Sequence, residues 1–140
     1  MNENTSTKNR EVVRRFNEEV IGRGDERAFR ELVAPEFVNR TAPPGFPEGP
    51  DGMWRMFHEI LRPALPDLSV EIHDQLVDGD RVVTRKTLRG THRGALLGVP
   101  ATGRAVAIDV IDVVRVADGR YVEHWGVNTL GAVLADLARG

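Results

Sequence analysis

The sequence predicts an α+β domain, with helices packed on one face of an antiparallel sheet. Up to about residue 61 the apolar residues recur at helical spacing, and from residue 68 they alternate at strand spacing. The later segments are separated by Asp78-Gly79-Asp80 and Asp118-Gly119, both turn sequences. Helices followed by an antiparallel run is the α+β order. Three helices laid over a curved four-stranded sheet leave a cavity between the layers, a common kind of small-molecule site. The 140 residues suit one domain, read as residues 8–140 behind a polar tail of residues 1–7.

Val12, Phe16 and Val20, with Val13 beside them, form the apolar stripe of a first helix. Gly22 and Gly24 end it, and Asp25 can cap a short second helix carrying Phe29, Leu32 and Val33, closed by Pro35. Phe37-Val38-Asn39 reads as a short extended piece. Four prolines and three glycines in residues 40–52 make a loop, and Phe46 in its middle predicts that it packs over something. Met53, Phe57, Ile60 and Leu61 mark a third helix, terminated by Pro63 and Pro66. Leu68, Val70 and Ile72 alternate with polar residues in a first strand, and residues 81–92 form a second. Residues 93–104 are a connection that exposes Leu96, Leu97 and Val99. Residues 105–117 and 120–128 are strands three and four. Thr129 can cap a closing helix with Leu130, Val133, Leu134 and Leu137.

Nineteen Lys and Arg against 21 Asp and Glu give a net charge of −2, which argues against a general nucleic-acid binder. There is no cysteine, so disulfides, thiolate zinc sites and thiol nucleophiles are all excluded, in keeping with a reducing cytoplasm. No apolar run approaches the ~18 residues of a membrane span, and the first eight residues lack the apolar segment of a signal peptide. Gly22-Arg-Gly24 follows a helix and lacks a third glycine, so it is no dinucleotide fingerprint. His58-Glu59 begins a zincin-like pattern, but Arg62 stands where the second ligand belongs. The two serines, Ser6 and Ser69, lie outside any nucleophile-elbow motif. Four scattered histidines have no ligand spacing, so no metal is expected.

One strand carries a charge where an apolar residue belongs. The even positions from 106 to 116 read Val106, Ile108, Val110, Asp112, Val114, Val116. A buried, unpaired carboxylate costs several kcal/mol. Asp112 is therefore neutral, paired, or facing a wet cavity, with Val110 and Val114 flanking it as substrate-contacting positions. A two-residue Asp118-Gly119 loop sets Asp112 opposite Trp125. A three-residue loop, Ala117-Asp118-Gly119, sets it opposite His124. The second register is preferred. It places Val122 opposite Val114 and Asn128 opposite Ile108, and keeps Tyr121, Glu123 and Trp125 together on the other face. A carboxylate beside an imidazole can orient the ring and move a proton, or can simply hold two strands together, and both readings stay open. His73 falls on the solvated face and His58 on a helix surface. His92 ends a strand near the apolar connection, at the expected cavity mouth. Arg85 and Lys86 alternate, so one of them points inward. Asn39, before the Pro-rich loop, is either an ordinary loop-start residue or an amide for a substrate carbonyl.

Several segments resemble the SnoaL-like polyketide cyclases of the nuclear transport factor 2 superfamily. They are Gly90-Thr91-His92-Arg93-Gly94, Gly98-Val99-Pro100-Ala101-Thr102-Gly103-Arg104, Arg115-Val116-Ala117-Asp118-Gly119-Arg120 and Glu123-His124-Trp125. Residues 11–20 and Phe37-Val38-Asn39 match as well, so the resemblance runs from about residue 8 to the end. It implies a cone-shaped curved sheet with helices on its concave face enclosing a pocket. It also implies cofactor-independent general acid–base chemistry, such as the intramolecular aldol cyclisation of polyketide esters. Asn39 and His124 match polar positions of the cyclases. The family's catalytic aspartate, two residues after the histidine of the His-Trp motif, falls at Gly126, and a family histidine on the preceding strand falls at Asp112.

The expectation is a cofactor-free enzyme acting on a hydrophobic oxygenated small molecule. Asp112 and His124 would be catalytic, and Asn39, His92, Val110 and Val114 would contact substrate. A related hydroxylase or epoxide hydrolase, or a non-catalytic binding module of the same fold, is the alternative. Ile111, Val113, Tyr121, Trp125 and Val127 on the outer sheet face predict a homo-oligomer, most simply a dimer.

Overall fold

The computed structural model describes residues 3–139. The chain opens with helix α1 (Glu3–Arg15), which widens to π-helical hydrogen bonding over Phe16–Gly22. Residues 3–7, read from sequence as tail, are the first turns of this helix, and residues 1 and 2 lie outside the described residues. Helix α2 (Glu26–Leu32) is capped by Asp25, whose carboxylate accepts from the Ala28 N–H. Strand β1 (Val33–Asn39) follows. Helix α3 (Pro50–Trp54) continues as a π-helical stretch over Arg55–Leu61 and ends in the turn α4 (Arg62–Ala64). It therefore starts inside the Pro-rich segment, with Pro50 at the first helical position, where a missing N–H costs nothing. Its last turn includes Pro63 instead of stopping before it. Strands β2 (Ser69–Asp78), β3 (Arg81–Thr91), β4 (Ala105–Ala117) and β5 (Arg120–Asn128) precede helix α5 (Leu130–Ala138).

The sheet has five strands in the order β1-β5-β4-β3-β2. The four expected strands pair antiparallel. The fifth, β1, adds in parallel at the β5 edge, where Pro35 is tolerated because an edge strand can leave one N–H side unpaired. This pairing sets Asn39 beside His124. The inner face of β4 is as the alternation predicts: Val106, Ile108, Asp112, Val114 and Val116 are buried, and Ala107, Asp109 and Ile111 are exposed. Phe16, Ile21, Leu32, Phe37, Leu65, Val82 and Val114 fill the core between helices and sheet.

The β4–β5 register differs from both sequence alternatives. The hairpin loop is the two-residue one: Ala117 faces Arg120, and Asp118 and Gly119 both have positive φ (50° and 76°), as a type I′ turn needs. A bulge then inserts Val122, so Val116 pairs with Tyr121 but Arg115 pairs with Glu123. Beyond it Val114 faces His124, Val113 faces Trp125 and Asp112 faces Gly126. The bulge lets Tyr121 and His124 share the inner side, which plain alternation forbids. Tyr121, expected on the outer face, is buried and stacks on Phe16 at 4.4 Å. Ile111 and Val127 remain as an exposed apolar pair on the outer face. Thr129 does not cap α5 with its side chain; the Asn128 side chain accepts from the Leu130 N–H.

Candidate functional site

A cavity of about 370 Å³ lies between the inner sheet face, the loop after β1, the α3 helical stretch and α5. Its wall is mostly apolar, with Phe46, Met53, Phe57, Leu88, Ile108 and Leu134 among the lining residues. Phe46 is the loop residue predicted to pack over something, and the Arg55 guanidinium sits 4.9 Å above its ring. Among the described residues, Lys86, Asp112 and His124 are the only titratable ones in the lining.

These three belong to one hydrogen-bonded chain that crosses the floor of the cavity. Asn17, in the apolar stripe of the first helix, donates from Nδ2 to the Val13 carbonyl at 2.8 Å and so turns Oδ1 toward the sheet. Lys86 Nζ donates to Asn17 Oδ1 at 2.6 Å and to Asp112 Oδ2 at 3.3 Å. His124 Nε2 stands 3.4 Å from the same Asp112 Oδ2. On its other side His124 Nδ1 lies 2.8 Å from Asn39 Oδ1. Asn39 Oδ1 also accepts from the Thr41 backbone N–H at 3.2 Å, which fixes which end of the amide is oxygen. The Thr41 hydroxyl accepts from the Gly126 N–H at 2.9 Å, tying the loop to β5.

Because Asn39 Oδ1 is an acceptor, His124 Nδ1 carries a hydrogen. His124 Nε2 then faces the Asp112 carboxylate. Burial pushes the Asp112 carboxyl up, but the Lys86 ammonium, with the hydrogen bond and charge of His124, outweighs it and holds the group below its ordinary value. Asp112 is 5 % exposed and ionised at neutral pH. Asp112 Oδ2 is contacted by both Lys86 Nζ and His124 Nε2, whereas Oδ1 is buried and has no hydrogen-bond partner among the described residues. Tyr121, wholly buried nearby, has its phenol pushed up by burial and by the Asp112 charge, and stays neutral.

Asp112, His124, Asn39 and Val110 line the cavity. Val114 does not: it is fully buried behind them, between Val82 and His124 on the flanking strands. His92 is fully buried away from the cavity wall and holds the 93–104 connection, with Nδ1 2.9 Å from Thr102 Oγ1. His58 is exposed and stacks on Trp54. His73 is exposed on the outer side, 2.8 Å from Thr87 Oγ1. Lys86 is the inward residue of the Arg85–Lys86 pair. Among the described residues no group of three or more His, Asp or Glu could hold a metal ion, and no helix is long and apolar enough to cross a membrane.

The fold and cavity define a small α+β domain of the kind that holds an apolar ligand against a few polar side chains. The sequence matches the SnoaL-like polyketide cyclase family over residues 11–137, and the chain belongs to that family. No curated protein matches it in sequence. Among solved structures it resembles a candidate SnoaL-like polyketide cyclase from Jannaschia sp. CCS1, with 28% identity over 100% of this chain and 98% of that one and a TM-score of 0.84. IdmH, a candidate polyketide cyclase from Streptomyces antibioticus, is 31% identical over 94% of this chain and 99% of its own, with a TM-score of 0.80. TsrD from Streptomyces laurentii is 26% identical over 98% and 97%, with a TM-score of 0.83.

Proposed function

We propose that this protein is a cofactor-independent enzyme that moves a proton on a hydrophobic, oxygenated small molecule, as in an intramolecular aldol cyclisation. The observation that carries this is the ionised Asp112 in an apolar cavity. Its Oδ2 is held by Lys86 and His124, and its Oδ1 is left without a partner. That is the arrangement of a positioned general base. Oδ1 takes the proton from a carbon next to a carbonyl. The enolate oxygen is met by the Asn39 amide N–H, since Asn39 Oδ1 is already taken by His124 and Thr41. The enolate carbon then attacks a second carbonyl, forming the C–C bond, and the resulting alkoxide takes a proton back from Asp112. The cycle consumes no net proton or electron. A general base of this kind contributes roughly 10²–10⁴-fold. The family and the two named relatives described as candidate polyketide cyclases support a cyclase over other proton transfers.

The test uses aromatic β-keto esters that carry a second carbonyl within reach of ring closure. Deuterium uptake at the α-carbon and ring closure are followed by NMR in D₂O. Both should exceed the uncatalysed rate with this protein and fall to it with Asp112→Asn. Equal rates with and without protein would overturn the proposal.

A further inference from the structure

Asn17 is a buried polar residue that the proton-transfer scheme does not use. It lies in the π-helical stretch Phe16–Gly22 of the first helix, is 0 % exposed and stands behind the cavity wall rather than in it. Widened helical turns of this kind recur at functional sites. The Asn17 amide is oriented by its Nδ2 bond to the Val13 carbonyl, which leaves Oδ1 for Lys86. Lys86 and Asp112 are diagonal neighbours on β3 and β4, since Lys86 faces Val110 and Asp112 faces Thr84. The ammonium nevertheless stands 2.6 Å from Asn17 Oδ1 and 3.3 Å from Asp112 Oδ2, so its shorter hydrogen bond goes to the neutral amide and not to the anion. An unrestrained ammonium closes on a carboxylate to about 2.7–2.9 Å. Lys86 has a third N–H to give, and the buried Asp112 Oδ1 has no hydrogen-bond partner among the described residues. What opposes a closer, two-oxygen ion pair is the tether to the helix.

We propose that Asn17 is a positioning residue for the base: it holds the Lys86 ammonium against the helix and so leaves Asp112 Oδ1 open to a carbon acid. This rests on the proton-transfer reading above and adds to it a residue that touches neither the substrate nor the reacting atoms. At its present distance Lys86 keeps the carboxylate charged. A closer lysine would occupy Oδ1 and weaken it as a base. The other titratable groups that face Asp112 are His124 and Tyr121, both on β5. Among the described residues, the helices over the cavity bring no titratable side chain to its wall. Through Asn17 the first helix, set back from the cavity, acts on the charge pair at its floor.

Two variants and one wild-type measurement test this. Asn17→Leu keeps the bulk and removes the acceptor, whereas Asn17→Asp keeps the shape and adds a competing charge. The readouts are the titration of the Asp112 side-chain carboxyl by carbon NMR, and kcat and KM on the keto-ester probes. In Asn17→Leu the ammonium closes on Asp112, so the carboxyl should titrate lower than in the wild type and kcat should fall about tenfold. KM should change by less than about twofold, because substrate contacts are untouched. In Asn17→Asp the ammonium is drawn toward the helix, and the Asp112 carboxyl should titrate higher than in the wild type. A merely structural residue would alter stability without moving this titration in opposite directions. In the wild type, scalar coupling across the Lys86 Nζ hydrogen bonds should be larger to the Asn17 amide carbon than to the Asp112 carboxyl carbon. An Asp112 carboxyl that titrates as in the wild type in both folded variants would overturn the inference, as would the reverse order of couplings. If one variant does not fold, the other decides with the coupling, and if neither folds the coupling decides alone. The NMR results need no turnover, so failure here is distinct from failure of the proton-transfer reading.

Discussion

Asp112 and Gly126 are direct cross-strand partners, and the space that a side chain at 126 would occupy is taken by the His124 ring. A Cβ built on Gly126 would lie 3.0 Å from His124 Cε1, 3.2 Å from Nε2 and 3.4 Å from Asp112 Cβ. By resemblance, the cyclases carry their acid at the position of Gly126 and a histidine at that of Asp112. In this chain the carboxylate stands on the opposite strand of the same pair, facing the same cavity. Gly126 is what lets the imidazole lie across to it.

Gly126→Ala therefore tests the contact. The methyl group meets the far end of a side chain, so the ring tilts away and backbone strain is not the issue. The fold should keep its stability or gain a few tenths of a kcal/mol, because alanine loses less backbone freedom than glycine. Turnover of the keto-ester probes should fall about tenfold if one orienting contact on the base is lost. Unchanged turnover would show that His124 does not need to touch Asp112.

Lys86→Met tests the buried cation by stability. It leaves the Asp112 carboxylate buried without its main counter-charge, which costs about 3–5 kcal/mol. The double variant Lys86→Met with Asp112→Leu removes both charges and should regain most of that loss. Urea unfolding at pH 7 measures both. A single variant within about 1 kcal/mol of wild type would mean that the pair is not coupled as drawn.

Acid should weaken the fold through Asp112. Its folded-state carboxyl titrates below the ordinary 3.8, so as pH falls the unfolded chain takes up this proton first. The stabilisation is in full force well above pH 3.8. It is lost as pH drops through that value toward the lower folded-state one. Asp112→Asn should flatten the stability profile in this acid window. A wild-type slope unaltered by the substitution would remove Asp112 from the acid response.

Much of this arrangement is legible in the sequence. The alternation of Val106 to Val116 places Asp112 inward correctly, because that face is otherwise wholly aliphatic. The contact with His124 is also legible, though the reason is not. The register turns on the bulge at Val122, and nothing in Tyr121-Val122-Glu123 marks where a ladder will slip by one. The fifth strand is hidden because its partner is distant in sequence and it contains Pro35. Lys86 was recoverable: Val82, Thr84, Lys86 and Leu88 alternate onto the inner face, and reading that series by its apolar ends points the lysine inward. Asn17 sits one residue from Phe16 in the stripe that also holds Val13 and Val20, a buried polar signal that spacing alone could have raised. His92 is close to the cavity in sequence pattern only, since the 93–104 connection folds over it.

The central claim is that Asp112 is the base. Its most direct test is the turnover of Asp112→Asn on the keto-ester probes, with far-UV circular dichroism and thermal unfolding run on the same sample. Asparagine keeps the shape and can still accept from Lys86, but it cannot take and hold a proton. The account predicts a folded variant slowed by about 100-fold or more. His124→Ala should be slowed less if the ring only orients the carboxylate, and equally if it carries the proton. A folded Asp112→Asn protein that turns over at nearly the wild-type rate would contradict the account.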